Sequence, residues 1–169
     1  TRTLEITQAA DLTLTSLADV SAAPNLTALT YKSTAGSLTL SGSGSNTIPT
    51  YETTAALTLA ATGAITIGQG TNKLALKVPG LSLSTSGAIT IGSGAELTAT
   101  GSGANTISIA GGSVNIAGAL TTVAAIPTTV TASAGSLTLA STARLTGLKG
   151  AQTYTATGST SDLTQASAL

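Results

Sequence analysis

The chain has 169 residues, a formal net charge of zero and 7% charged residues. It is long enough for one domain with a substantial core, but carries no basic stripe to attract nucleic acid or an acidic membrane surface. It contains no Cys or His, which excludes a disulfide scaffold, soft metal ligands and a Ser–His–acid triad, and no apolar run of the roughly 18 or more residues that a spanning helix needs.

Short runs of alternating apolar and polar residues recur along the chain between small-residue turns. In order they are entered at Leu4, Leu12, Leu26, Tyr31, Leu38, Ile48, Leu57, Ile65, Leu74, Leu81, Ile89, Leu97, Ile107, Val114, Leu120, Val130, Leu137, Leu145, Tyr154 and Leu163. LTL at 12–14 and ITI at 65–67 are typical. The period of 2 predicts half-buried β-strands, and the runs are too short for helices.

GAITIGQG at 63–70 returns as GAITIGSG at 87–94, 24 residues on. The recurrence sorts the runs into three series. One is Leu12, Leu38, Ile65, Ile89, Val114, Leu137 and Leu163. A second is Leu4, Tyr31, Leu57, Leu81, Ile107, Val130 and Tyr154. The third is Leu26, Ile48, Leu74, Leu97, Leu120 and Leu145. Repetition at this period predicts an all-β fold: a parallel β-solenoid with three strands per rung, about 25 residues per rung and about seven rungs. Residues 1–169 form a single β-solenoid domain. Each repeat buries its inward aliphatics only by stacking on its neighbours. A β-sandwich is the competing architecture, because its strands also come about every 8–12 residues, but it has no use for the longer period. Glycines between the runs, such as Gly68, Gly92, Gly101 and the pair Gly111–Gly112, suit corners that need positive φ.

The register predicts opposite charges on neighbouring rungs, Glu5 beside Lys32 and Lys73 beside Glu96. It puts no charged residue inward. It also places Tyr31 and Tyr154 inward near the two ends, where a ring can plug the core.

Catalysis has little to work with. The six acids are Glu5, Asp11, Asp19, Glu52, Glu96 and Asp162, and no two share a face on adjacent rungs, as a glycosidase pair would require. The GQGTN and GSGAN corners precede no helix to cradle a pyrophosphate, and they lack the Asp of the calcium-binding nonapeptide. The expectation is a protein that is not an enzyme, with no catalytic residue, cofactor or metal.

Two surfaces are candidates for contact. One is an outward ladder on the middle series, Thr13, Thr39, Thr66, Thr90, Asn115 and Thr138, flanked by Asp11, Ser37, Ala64, Ala88, Ser113 and Ser136. The other is the pair of solenoid ends, marked by Leu4, Glu5 and Leu12 at one and by Tyr154, Thr155 and Leu163 at the other. End rungs expose unpaired strand edges unless they are covered. Head-to-tail stacking would cover them, and a proline at Thr155 on the last rung is expected to block it.

GAITIGQG, GAITIGSG and SGANTISIAGGSVNIAG at 102–118 resemble the passenger β-helices of bacterial secreted surface proteins, of the filamentous-haemagglutinin-type adhesin and autotransporter kind. The resemblance lies in the rung pattern and carries over no site residue. It implies an extracellular or cell-surface location and a role in adhesion or a surface layer. The expected function is a structural or adhesive subunit that associates with itself, as a homo-oligomer or filament, and meets a glycan or cell-surface ligand. Nucleic acid and membrane insertion are not expected. The alternatives are a phage tail or other virion part, and a monomeric module that binds ice or glycan through the Thr ladder.

Overall fold

The structure is a computed structural model that describes residues 2–17, 25–42, 49–70 and 72–158 and the backbone of 163–165. Its strands climb rung by rung. Arg2–Gln8 (β1) and Leu12–Leu14 (β2) belong to the first rung, and Leu26–Ser33 (β3), Leu38–Leu40 (β4) and Thr50–Glu52 (β5) to the second. Ala56–Ala61 (β6), Ile65–Ile67 (β7) and Leu74–Val78 (β8) form the third; Leu81–Thr85 (β9), Ala88–Ile91 (β10) and Ala95–Ala99 (β11) form the fourth. Ile107–Gly111 (β12), Ser113–Ile116 (β13) and Ala119–Thr122 (β14) follow, then Thr128–Ala132 (β15), Leu137–Leu139 (β16) and Arg144–Thr146 (β17). Gln152–Ala156 (β18) and Leu163–Gln165 (β19) begin a seventh.

These strands make three parallel sheets. The first face runs β1-β3-β6-β9-β12-β15-β18, the second β2-β4-β7-β10-β13-β16-β19 and the third β5-β8-β11-β14-β17. The fold is therefore the expected all-β parallel solenoid with three strands per rung. Among the described residues the first and last rungs show two strands each, and the coil makes about six turns where the sequence pattern predicts about seven.

On the second face the predicted series holds throughout: Leu12, Leu38, Ile65, Ile89, Val114, Leu137 and Leu163 stack in register. On the first face the series mixes two inward columns. Leu4, Leu29, Leu57, Leu81, Ile107, Thr128 and Gln152 form one, and Ile6, Tyr31, Leu59, Leu83, Ile109, Val130 and Tyr154 the other. On the third face the column is Tyr51, Leu76, Leu97, Leu120 and Leu145. Leu74 pairs one step earlier, with Ala95. Leu26 belongs to the first face as the start of the long β3. Ile48 lies outside the described residues.

The same slips undo both expected charge pairs. Glu5 stands beside Thr30, and Lys32 beside Thr7 and Ala60. Glu96 lies between Ala75 and Ala119. The opposite charges that do neighbour each other in a ladder are Glu52 and Lys77.

The core is thin and aliphatic, and among the described residues no charged side chain is buried. The buried polar residues are Ser33, Thr53, Thr122 and Thr128. Ser33 donates to the Ala10 carbonyl at 2.7 Å, and Thr122 to the carbonyls of Ala124 and Gly147 at 2.9 and 2.6 Å. The Thr128 hydroxyl has no partner.

Between the first and second faces, Gly36, Gly63, Gly87, Gly112 and Gly135 stack at the corner. Gly63 N donates to Gly36 O at 2.9 Å, Gly112 N to Gly87 O at 2.7 Å and Gly135 N to Gly112 O at 2.7 Å. The backbones approach so closely that a Cβ on Gly87 would lie 2.6 Å from Gly63 O. Positive φ explains Gly68, Gly70, Gly103 and Gly147. At Gly92, Gly101 and Gly112 the requirement is close approach to a neighbouring rung.

Candidate functional site

The second-face ladder is continuous. Thr13, Thr39, Thr66, Thr90, Asn115 and Thr138 stand on successive strands, and Thr164 follows in register. On the three-residue strands alternation leaves one central outward position. Its flanking column is drawn into the corner on the first rungs. Asp11 Oδ1 accepts from Ser37 N at 2.7 Å, and Ser37 Oγ accepts from Ala64 N at 3.1 Å. Farther along the coil, Ala88 stays exposed in that column and pairs in register with the half-buried Ser113.

A second row on the first face is absent from the sequence expectation. Thr30, Thr58, Ser82, Ser108, Thr129 and Thr153 stack outward on six strands. The signal for it is the outward residue of LTY, LTL, LSL, ISI, TTV and QTY. Charge is distributed unevenly around the coil. The second-face strands carry none, and the first face carries none from β6 to β18. Glu52, Lys77, Glu96 and Arg144 all lie on third-face strands. Two open depressions of about 370 and 150 Å³ lie on this face, and both are lined by Glu96, Ala119 and Arg144.

The expected end residues fall on the terminal strands of the first two sheets. Leu4 and Glu5 are on β1, Leu12 on β2, Tyr154 and Thr155 on β18, and Leu163 on β19. All seven residues of β1 are exposed. Its inward residues Leu4 and Ile6 are 39% and 36% exposed, against 0% and 3% for Leu29 and Tyr31 one rung on. Tyr154 packs against the core at the other end, half-buried.

Backbone polarity adds a constraint that side-chain patterns do not carry. Gln8 O accepts from Thr34 N at 2.8 Å. In a parallel strand alternate residues face opposite neighbours, so Glu5 and Thr7 direct their main-chain groups at the open edge. In β18, Thr157 N donates to Ala132 O and Ala151 O accepts from Thr128 N, both at 2.9 Å. Thr155 therefore bonds toward β15, and Gln152, Tyr154 and Ala156 face outward. A proline at Thr155 would break a bond inside the molecule, so the joint is better probed at Thr7.

Of the acids, Asp11 is spent on the corner, and Asp19 and Asp162 lie outside the described residues. Among the described residues no three acidic side chains gather as they would around a metal ion. Burial raises the phenols of Tyr51 and Tyr154 above the ordinary tyrosine value. No protein-family model, curated protein or solved structure matches the chain.

Proposed function

We propose that the protein is a structural and adhesive subunit of a microbial surface or extracellular assembly, whose copies join end to end through the open edges of the solenoid. The observation that carries this reading is the exposed first rung, where Leu4 and Ile6 stand uncovered in columns that are otherwise buried. Continuing the columns sets Leu4 of a second copy on Gln152 and Ile6 on Tyr154. The free main-chain groups then alternate in phase: those of Gln152, Tyr154 and Ala156 meet those of Glu5 and Thr7. Such a contact is heterologous and extends without closing. Edge pairing performs the function, and no cofactor takes part. The likeness of the rung pattern to adhesin and autotransporter passengers supports the extracellular setting.

The test is negative-stain electron microscopy of the chain over a dilution series. Fibres with an axial repeat of about 30 Å are expected, from rungs spaced about 4.8 Å apart. Thr7→Pro removes an N–H that faces the open edge, and is expected to give dispersed particles with unchanged circular dichroism. Thr66→Tyr combined with Thr90→Tyr, on the second face, is expected to leave the fibres intact. Dispersed wild-type particles at every concentration would sink the proposal. Loss of fibres in the tyrosine variant alone would move the contact to the Thr ladder.

A further inference from the structure

The third face carries a charge pattern that is complementary to itself. Ala75, Glu96, Ala119 and Arg144 form one outward column on β8, β11, β14 and β17. Thr98, Thr121 and Thr146 form the column beside it, with the last two hydroxyls 2.9 Å apart. Glu96 and Arg144 are exposed and stand one rung to either side of Ala119, without an ion pair to any described residue. With the small Ala119 between them, they flank the larger depression, which the three threonines also line.

We infer that this face docks a second copy of the chain, side by side and antiparallel. A twofold axis along the strand direction at β14 exchanges the rungs above and below it. Glu96 then faces Arg144 of the second copy, and Arg144 faces its Glu96, while Ala119 and Thr121 meet their own equivalents. A parallel arrangement would set Glu96 on Glu96 and Arg144 on Arg144, so charge selects the antiparallel one. Glu52 and Lys77, on β5 and β8, fall beyond the overlap. The overlap is small, with three strands (β11, β14 and β17) at about 4.8 Å and about five residues at 3.3 Å. That is roughly 240 Å² against the ~800 Å² per partner of a standard stable interface. The contact is therefore weak and salt-dependent. It is independent of the solenoid ends.

Sedimentation velocity on the full chain carrying Thr7→Pro, which keeps the ends out of play, reads this directly. Dimer is expected at about 0.01 M salt and monomer at about 1 M, where charges act over only ~3 Å. Glu96→Arg and Arg144→Glu each oppose like charges twice, and each is expected to weaken dimerisation by at least about tenfold. An equimolar mixture of the two variants restores both pairs in a heterodimer and is expected to dimerise again. Monomeric protein at low salt, indifference to either reversal, or a mixture that stays monomeric overturns the inference. The result does not depend on whether the wild type forms fibres.

Discussion

The phenol of Tyr51 lies 2.7 Å from the Thr15 carbonyl, 36 residues earlier in the chain, and 2.9 Å from the carbonyl of Ser41. One proton serves two acceptors, and it ties the turns that follow β2 and β4 to the third face. The first rung, whose β1 is exposed along its whole length, is held partly by this bond. Tyr51→Phe is expected to lower stability by about 1 kcal/mol and Tm by about 2–4 °C. Amide exchange should rise most in β1 and β2. Uniform loss of protection along the coil would count against the local role.

The glycine column separates two kinds of glycine. Gly87→Ala would set its Cβ 2.6 Å from Gly63 O, on the backbone of the next rung, and is expected to cost about 1–3 kcal/mol or more, as overpacking does. Gly103 has φ +68 and nothing within 4 Å. Gly103→Ala meets only the left-handed backbone penalty of about 1–2 kcal/mol, and Gly103→Asn should recover part of it. Chemical denaturation of the three variants measures these losses, and a Gly87→Ala loss below about 1 kcal/mol would contradict the close-approach account.

Thr128 fills an inward position between Ile107 and Gln152, and its hydroxyl is buried without a partner. Thr128→Val replaces that hydroxyl by a methyl group of similar size. It is expected to raise stability by about 1 kcal/mol and Tm by about 2–4 °C. A lower Tm would mean that the hydroxyl has a bonding role after all.

Tyr51 and Tyr154 also give the fold an alkaline limit. Burial raises both phenols above the ordinary value of 10.0, so folding favours the neutral form. Stability from this source is complete below the unfolded pKa near 10 and is lost as pH rises through the folded values. Tm should fall above about pH 10, and less steeply in a variant carrying both Tyr51→Phe and Tyr154→Phe. Parallel curves for variant and wild type would assign the fall to other groups.

How far the sequence discloses the structure differs from face to face. The second face was legible throughout because each strand is Leu-Thr-Leu or a near copy, two residues after a corner glycine at five of the rungs. On the longer first-face strands, Leu29 and Tyr31 both point inward. A slip of two preserves every inward and outward assignment, so periodicity alone could not choose between Leu4 on Tyr31 and Leu4 on Leu29. The third face is ambiguous in the sequence where Tyr51 takes the column position of an aliphatic residue and where Leu74 and Leu76 compete for it. The hydroxyl row of the first face was legible in principle from repeated apolar–Ser/Thr–apolar triplets. The polarity of the edges was not, because main-chain bonds leave no trace in side-chain type.

Because the strands run across the coil, their main-chain bonds lie along its axis. A force pulling the two ends apart meets the rungs one at a time, as a zipper does, whereas a force along a strand loads a whole row together. Stretched lengthwise, the molecule would yield turn by turn. Each turn of about 25 residues would release roughly 80–90 Å of extended chain, so its extension under load would come in steps of that size.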